Sequence, residues 1–259
     1  FSNISDAVTQ FIPLPWDQPG PLSGLFNYLQ PAALVFSRTD LWPELIKQAR
    51  ARQVPMGLIS FNPKFDSLSL MSYRHFLTAF KFVSCLNESA ASSLKKILPA
   101  VQVTADGDTR FDQVFFRLAQ SPKVSVKTTS KLITLGSTWP EDEYQWLQIF
   151  PQLLAQNFKI ILSPHDVSPE NILRLKKLLQ KQELRFSVLS EVRRTENPEN
   201  PQIDLQEDVL LIDRIGYLAD CYRFADLAFV GGSFKELVHS VMEPLCCGLP
   251  VLVGPCYIN

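Results

Sequence analysis

The sequence has 259 residues, of which 46% are hydrophobic and 20% are charged, and its formal net charge is −1. A chain of this length favours two domains of ordinary size. The near-neutral balance argues against a nucleic-acid-binding protein, which normally shows a clear basic excess. No apolar run approaches the roughly 18 to 20 residues that a membrane span needs.

The first half of the chain alternates short apolar runs, rich in β-branched residues, with segments of helical period. The apolar runs predict strands at Ala32–Phe36, Val54–Ser60, Lys81–Leu86 and Val101–Thr104. The periodic segments predict helices at Asp40–Gln53, Asn87–Leu98 and Thr109–Ala119. The first of these helices has its apolar residues on one face, and Asp40 is predicted to cap its amino terminus.

The second half repeats the alternation after a polar, basic stretch, Ser121–Lys131, that is interpreted as a linker. Strands are predicted at Leu132–Leu135, Lys159–Leu162, Arg185–Leu189, Val209–Ile212, Leu227–Val230 and Val251–Val253. Helices are predicted at Glu141–Gln156, Pro169–Lys181 and Ile215–Ala225, with a short helix before the last strand and a loop at Glu196–Pro201.

The continuously apolar strands joined by helices are typical of parallel sheets covered on both faces. Two such blocks predict an α/β fold of two doubly wound, Rossmann-like domains facing a cleft, at residues 1–122 and 123–259. Ligands in such folds bind at the carboxyl ends of the strands. Because the chain begins with Phe1 and not with methionine, we expect its amino-terminal part to be missing.

The segment GGSFKELVHS directly follows the predicted strand Leu227–Val230. Glycine lets a backbone approach a phosphate closely, so Gly232 and Ser233 are candidates for a phosphate-binding turn. A simple strand-to-loop turn accounts for the glycines equally well. His239 is a candidate hydrogen-bond donor to a phosphate or carboxylate, although a lone histidine is more often structural.

The pair Ser240 and Glu243 has the spacing of a capping box, in which the glutamate bonds back to the cap's own N–H. Alternatively, Pro244 begins the helix. Glu243 would then be free to accept hydrogen bonds from a ribose.

The loop after the strand Leu132–Leu135 carries a second capping-box pattern, Thr138 with Glu141. The three carboxylates at 141–143 complement the helix dipole but would repel a phosphate there. This loop is therefore predicted to be the weaker phosphate site.

Two further loops leave strands at the same predicted edge. His165 stands next to Asp166 after Lys159–Leu162. Arg214–Gly216 offers a guanidinium and, at Ile215 and Gly216, open backbone groups that suit a nucleobase edge or an anion. An exposed arginine that caps the preceding turn is the alternative.

Several motifs, in the same order along nearly the whole chain, resemble those of the Kdo transferases. TADGDTRFDQV is similar to the family's G-[ND]-x-[KR]-F-D, and GSTWPEDE to its S-T-[HW]-x-x-[ED]-E. HSVMEP with GLPVLVGP is similar to H-N-x-x-E-[PA] with G-x-P-V-L-x-G-P. The chain departs from the family at Ser37–Asp40, where E-x-E is usual, and at Ser240, where asparagine is usual.

The resemblance implies a two-domain (GT-B) glycosyltransferase whose second half holds the CMP part of the donor. The implied donor-binding residues are Thr138, His165, Ile215, Gly216, Gly232, Ser233, His239, Ser240 and Glu243. Arg110 would face the cleft from the first half. The family's general base, a glutamate in a G-E segment, has no match here and is expected upstream of Phe1, so the catalytic residue is unassigned.

The implied reaction is inverting transfer of 3-deoxy-D-manno-octulosonic acid (Kdo) from CMP-Kdo to a lipid A precursor, in the lipopolysaccharide biosynthesis of a Gram-negative bacterium. It implies the cytoplasmic side of the inner membrane, with no cofactor, no metal and no nucleic-acid partner. The alternatives are another nucleotide-sugar (UDP) transferase or epimerase of the same architecture, and a non-catalytic sugar-binding homologue.

Overall fold

The computed structural model describes residues 10–62, 74–120, 124–192 and 202–257. The chain divides into two compact units, Phe1–Arg110 and Phe111–Asn259. The predicted domain boundary, between residues 122 and 123, lies outside the described residues, as does the predicted loop Glu196–Pro201.

The first unit contains a parallel sheet in which four strands follow their order in the chain. These strands are β1 Leu34–Ser37, β2 Met56–Phe61, β3 Phe82–Cys85 and β4 Gln102–Ala105. Its helices are α1 Pro19–Leu29, α2 Pro43–Ala51 and α3 Glu88–Ile97, and residues 74–77 form a helical turn. Helix α4 Thr109–Leu118 starts at the end of this unit, and its residues from Phe111 onward, Arg117 included, belong to the second unit. The four predicted strands are confirmed with small shifts at their ends, whereas α1 was not predicted.

Helix α2 is capped by Asp17 and not by Asp40. The Asp17 carboxylate accepts hydrogen bonds from the backbone N–H groups of Glu44 (3.0 Å) and Leu45 (2.9 Å). The prediction for Asp40 is wrong because the helix begins at Pro43, whose fixed φ suits the first helical position. The free N–H groups of that first turn therefore find their acceptor 27 and 28 residues earlier in the chain.

We expect Asp17→Ala to lower the free energy of unfolding by about 1–2 kcal/mol, because two N–H groups of α2 lose their acceptor. Asp17→Asn keeps an amide oxygen in place and should cost less. Urea denaturation of the variants measures the difference, with Asp40→Ala as the matched control. An Asp17→Ala cost no larger than that of Asp40→Ala would contradict the capping role.

The second unit is built on a larger, fully parallel sheet. The described strands of this unit are β5 Ser125–Lys127, β6 Lys131–Thr138, β7 Phe158–Pro164, β8 Phe186–Val188, β9 Gln202–Asp204, β10 Val209–Leu211, β11 Leu227–Val230 and β12 Val251–Val253. Six of them form one sheet in the order β12-β11-β6-β7-β10-β8, and β5 pairs in parallel with β9. Its helices are α5 Pro140–Ala155, α6 Pro169–Lys181, α7 Leu218–Tyr222 and α8 Met242–Cys246.

The predicted linker Ser121–Lys131 is wrong over most of its described part. Strand β5 occupies its middle, with Val124 and Val126 buried, and β6 begins at Lys131. The strand was not recognised because these valines stand among polar residues and its partner, β9, lies more than seventy residues later in the chain. Helix α7 is also shorter than predicted, because Gly216 takes a left-handed conformation (φ +89°) ahead of it.

Both faces of the six-stranded sheet are covered, as its continuously apolar strands predicted. One face packs against α5 and α6 through side chains that include Ile133, Leu162, Phe150 and Leu175. The other face packs against the β5–β9 pair and α7 through side chains that include Leu132, Leu210, Ile203 and Cys221. The α/β fold class with Rossmann-like sheets is thereby confirmed.

The order of the strands reverses at β6. The chain runs from β6 to β7 on one side, and later returns to add β11 and β12 on the other side. In open α/β sheets the loops at the carboxyl ends of such neighbouring strands diverge and leave a crevice that binds ligands. The loops after β6 and β11 are therefore where a site is expected on topology alone.

Candidate functional site

A buried carboxylate joins the loops after β6 and β11. Asp142, in the first turn of α5, accepts hydrogen bonds at Oδ2 from the backbone N–H groups of Trp139 (2.8 Å) and Gly232 (2.9 Å). Asp142 is fully buried, and its Oδ1 has no partner within the described part of the chain. This residue fixes the spacing of the two loops across the crevice.

The capping box predicted at Thr138 and Glu141 is wrong by one residue. Helix α5 begins at Pro140, so the capping position is Trp139, and Asp142 supplies the carboxylate that bonds back to the N–H of Trp139. Sequence reasoning considered Asp142 only as a partner of the helix dipole. Its position three residues after the cap was the signal that could have identified it.

Thr138 takes part in a buried polar cluster. Its hydroxyl donates to Oε1 of Glu143 at 3.2 Å, and the guanidinium of Arg174 contacts the other carboxylate oxygen at 2.5 Å. Burial raises the pKa of Glu143 despite this pairing with Arg174. Two of the three carboxylates at 141–143 are thus buried and partnered, which weakens the predicted repulsion of a phosphate at this loop.

Three aromatic rings from three different loops stack together. His165, after β7, stacks on Trp139 with centroids 4.7 Å apart and on His239 with centroids 4.5 Å apart. The indole N–H of Trp139 donates to Nε2 of His239 at 2.9 Å. The ammonium of Lys235 lies 3.4 Å from the centroid of the Trp139 ring. The structure therefore brings the predicted residues His165 and His239 together and adds Trp139 and Lys235, which the sequence reasoning missed.

His239 is partly buried in this cluster. Burial, followed by the neighbouring His165, lowers the pKa of His239 below its usual 6.5, and Asp142 partly opposes the shift. Its imidazole is therefore neutral near pH 7.

The turn after β11 requires glycine. Gly232 has φ +103°, and a Cβ there would overlap the carbonyl oxygen of Leu237 and lie 3.0 Å from Cδ2 of His239. The next residue, Ser233, is fully buried, and its Oγ finds no hydrogen-bond partner among the described residues. A close backbone turn with an unpaired hydroxyl is consistent with the predicted contact with a ligand.

The environment of Glu243 differs from both arrangements considered for it. Helix α8 begins at Met242 and not at Pro244. Ser240 accepts a hydrogen bond from the N–H of Met242 (3.4 Å), so it forms no capping box with Glu243. Glu243 is instead paired with Arg117 of α4, whose guanidinium lies 2.5 Å from Oε1. A ribose bound at Glu243 would share the carboxylate with Arg117.

The remaining predicted residues are not members of the ring cluster. Ile215 is 85% exposed, and Gly216 follows it in the loop after β10, which pairs with β7. This loop is thus one strand beyond His165 at the same edge of the sheet. Arg110 is in the first unit, where its guanidinium binds Asp108 at 2.6–3.0 Å. The ligand contacts assigned to these residues stay predictions.

The described residues include neither a candidate metal site nor a candidate membrane span. They contain no group of three or more histidine, cysteine, aspartate or glutamate side chains that could hold a metal ion. Within the same residues, no helix is both long enough and apolar enough to cross a membrane.

The comparisons with known proteins agree with the motif resemblance. Residues 2–113 match the family model described as 3-deoxy-D-manno-octulosonic-acid transferase (kdotransferase). A protein of that name from Chlamydophila psittaci is 27% identical over 96% of this chain and 57% of its own length. One from Haemophilus influenzae is 27% identical over 98% of this chain and 60% of its own length. The chain thus spans somewhat more than half the length of these relatives.

A solved structure supports the architecture. The UDP-GlcNAc 2-epimerase of Neisseria meningitidis, determined with UDP-GlcNAc bound, aligns over 90% of this chain and 61% of its own, with a TM-score of 0.52 and 15% identity. At that identity the likeness shows the fold alone. It confirms the α/β architecture that the strand and helix pattern predicted.

Proposed function

We propose that this chain, a relative of the 3-deoxy-D-manno-octulosonic acid transferases, forms part of a glycosyltransferase that moves Kdo from CMP-Kdo to a lipid A precursor. The observation that carries the proposal is the similarity to transferases of that name over 96% and 98% of the chain. That similarity extends through both units. The fold alone does not distinguish a transferase from an epimerase.

The geometry of the second unit supports a nucleoside monophosphate as the ligand. The crevice between the loops after β6 and β11 has the glycine turn at Gly232, the imidazole of His239 and the hydroxyl of Ser233, which has no partner among the described residues. A phosphate at this edge would accept hydrogen bonds from such donors, and the nearby ammonium of Lys235 would attract its charge. One turn of this kind suits the single phosphate of CMP.

In the proposed reaction the acceptor hydroxyl attacks the anomeric carbon of Kdo. The bond from that carbon to the phosphate oxygen breaks at the same time, and CMP leaves with the electron pair and therefore gains negative charge. Hydrogen-bond donors fixed around the phosphate stabilise that charge without a metal ion or a cofactor. The chain's own contribution is to bind and orient CMP-Kdo. No residue of this chain is assigned as the base that deprotonates the acceptor hydroxyl.

The acceptor sets the proposed location. A lipid A precursor is anchored in a membrane, so we place the protein at the cytoplasmic face of the inner membrane of a Gram-negative bacterium. The proposal includes no nucleic-acid partner, in agreement with the formal net charge of −1.

Calorimetric titration with CMP and with UDP tests the donor site. We expect CMP to bind more tightly than UDP, and His239→Ala to weaken CMP binding about ten- to a hundredfold, because a hydrogen bond to a charged group is lost. His75→Ala, in the first unit, is the matched control and should leave binding unchanged. Preferential binding of UDP would favour the alternative of a UDP-sugar enzyme, and binding of neither nucleotide would refute the donor site.

The transfer reaction itself is tested by incubating the complete gene product with CMP-Kdo and a lipid A precursor. Formation of a Kdo-lipid product supports the enzyme. Tight CMP binding without any product would favour the non-catalytic homologue.

A further inference from the structure

The hydrogen bond between Trp139 and His239 has a fixed direction. An indole N–H only donates, so Nε2 of His239, 2.9 Å from Nε1 of Trp139, must accept with its lone pair. A neutral imidazole carries one proton, which in this arrangement sits on Nδ1. The two rings are within 20° of parallel, which suits an in-plane lone pair.

We propose that Trp139 is a positioning residue that holds His239 in the Nδ1–H tautomer and so directs that proton to the phosphate of the nucleotide. The phosphate half of this statement rests on the proposed function. The tautomer does not, because it follows from the contact between the two side chains. Nδ1 makes no hydrogen bond to the part of the chain that the structure describes, so its proton is available to a ligand.

Gly232 and His165 limit access to the Cδ2–Nε2 edge and to one face of the His239 imidazole. A Cβ built on Gly232 would lie 3.0 Å from Cδ2 and 3.2 Å from Nε2 of His239, so the backbone of Gly232 lies against that edge. His165 stacks on His239 at an interplanar angle of 7° and on Trp139 at 25°. With one edge blocked and one face covered, Nδ1 is the nitrogen left to contact a ligand.

The charged groups around His239 also favour the neutral ring. The ammonium of Lys235 lies over the indole of Trp139, and His165 stacks on the imidazole itself. Among the described residues, Asp142 in the first turn of α5 is the one that favours protonation of His239. Protonation at Nε2 would also break the bond from Trp139, since two N–H groups cannot donate to each other.

Nitrogen NMR of the histidine side chains tests the tautomer without any ligand. The chain has three histidines, and the signals of His239 are those lost in His239→Gln. We expect the Nδ1–H tautomer in the wild-type chain and a mixture of tautomers in Trp139→Phe, which keeps an aromatic ring but removes the donor. A wild-type signal from the Nε2–H tautomer would overturn the proposal.

Titration with CMP tests the consequence for binding. At about pH 7.5 we expect Trp139→Phe to raise the dissociation constant of CMP roughly tenfold, because part of the population presents the wrong nitrogen. At a lower pH, chosen from an NMR titration of the variant so that His239 is an imidazolium, both nitrogens carry protons, so the ratio of variant to wild type should fall towards one. A defect of equal size at both pH values would indicate a merely structural role and overturn the proposal.

The matched control is Trp146→Phe, the same substitution in the same helix region, at a buried side chain that contacts Phe229 and lies outside the ring cluster. It should change neither the tautomer nor the pH dependence of CMP binding. If the wild-type chain binds no CMP, the proposed function and the phosphate half of this inference both fail. The NMR result still decides whether Trp139 sets the tautomer.

Discussion

Asp142→Ala should be among the most damaging single substitutions in the second unit. It removes the acceptor of two backbone N–H groups, the partly buried one of Trp139 and the buried one of Gly232, which lie 2.8 and 2.9 Å from Oδ2. Each unsatisfied buried donor costs about 1–3 kcal/mol, so we expect the free energy of unfolding to fall by about 2–5 kcal/mol. Urea or thermal unfolding of the variant gives this value directly.

The same substitution should abolish CMP binding even where the protein stays folded. Asp142 is the contact that holds the loop after β6 to the loop after β11, and the proposed nucleotide site lies between them. Calorimetry at a temperature well below the unfolding midpoint separates this effect from global unfolding.

Asp142→Asn is the matched control. One oxygen of Asp142 accepts both hydrogen bonds, whereas the other has no partner among the described residues. An asparagine whose amide oxygen takes the place of Oδ2 retains both bonds, although they are weaker because the acceptor is uncharged. We therefore expect Asp142→Asn to keep most of the stability and part of the CMP binding. Equal losses in the alanine and asparagine variants would show that the two bonds are not what matters.

Apolar runs identified the strands of the fold because burial on both faces leaves a continuous signal in the sequence. Elements without that signal were missed or misplaced. Helix α1 begins with Pro-Gly-Pro, which favours turns, and β5 is three residues long with polar neighbours. The start of α2 was misplaced because its cap, Asp17, is brought there by the tertiary structure.

For the candidate site, the sequence located the edge of the sheet but not the contacts along it. His165 and His239 were predicted as separate candidates, and the structure stacks them on each other. The partners that organise the site are far apart in the chain: Trp139 and His239 by 100 residues, and Arg117 and Glu243 by 126. Contacts at such separations leave no periodic pattern in a single sequence, so only the three-dimensional arrangement shows them.

Alanine substitutions at three glycines should separate two costs of adding a Cβ, namely backbone strain and steric overlap. Two of the glycines lie in the turn after β11, and the third, Gly248, follows α8. Gly248, with φ +74°, has open space where a Cβ would be, so Gly248→Ala adds strain alone. At Gly231 the backbone is not left-handed, but a Cβ would overlap the Ser137 carbonyl oxygen and lie 2.8 Å from Oδ2 of Asp142. Gly232 combines a left-handed φ of +103° with overlap at the Leu237 carbonyl.

We expect Gly232→Ala to lower the free energy of unfolding by about 2–5 kcal/mol, because strain and overlap with a rigid backbone atom each contribute about 1–3 kcal/mol. Gly248→Ala should cost about 1 kcal/mol, and Gly231→Ala an intermediate amount. Chemical denaturation gives the three values in one experiment. An equal cost for Gly248→Ala and Gly232→Ala would mean that the turn relaxes away from Leu237 and that close approach of the backbone is not required.

Binding of CMP to the same variants tests whether the glycine turn positions the imidazole of His239. Because the backbone of Gly232 lies against the Cδ2–Nε2 edge of His239, an added methyl group would push the imidazole away from the indole of Trp139. Gly232→Ala should therefore lose CMP affinity by more than its stability loss explains, whereas Gly248→Ala should bind CMP as the wild type does. If Gly232→Ala bound CMP normally, the position of the imidazole could not depend on the glycine turn.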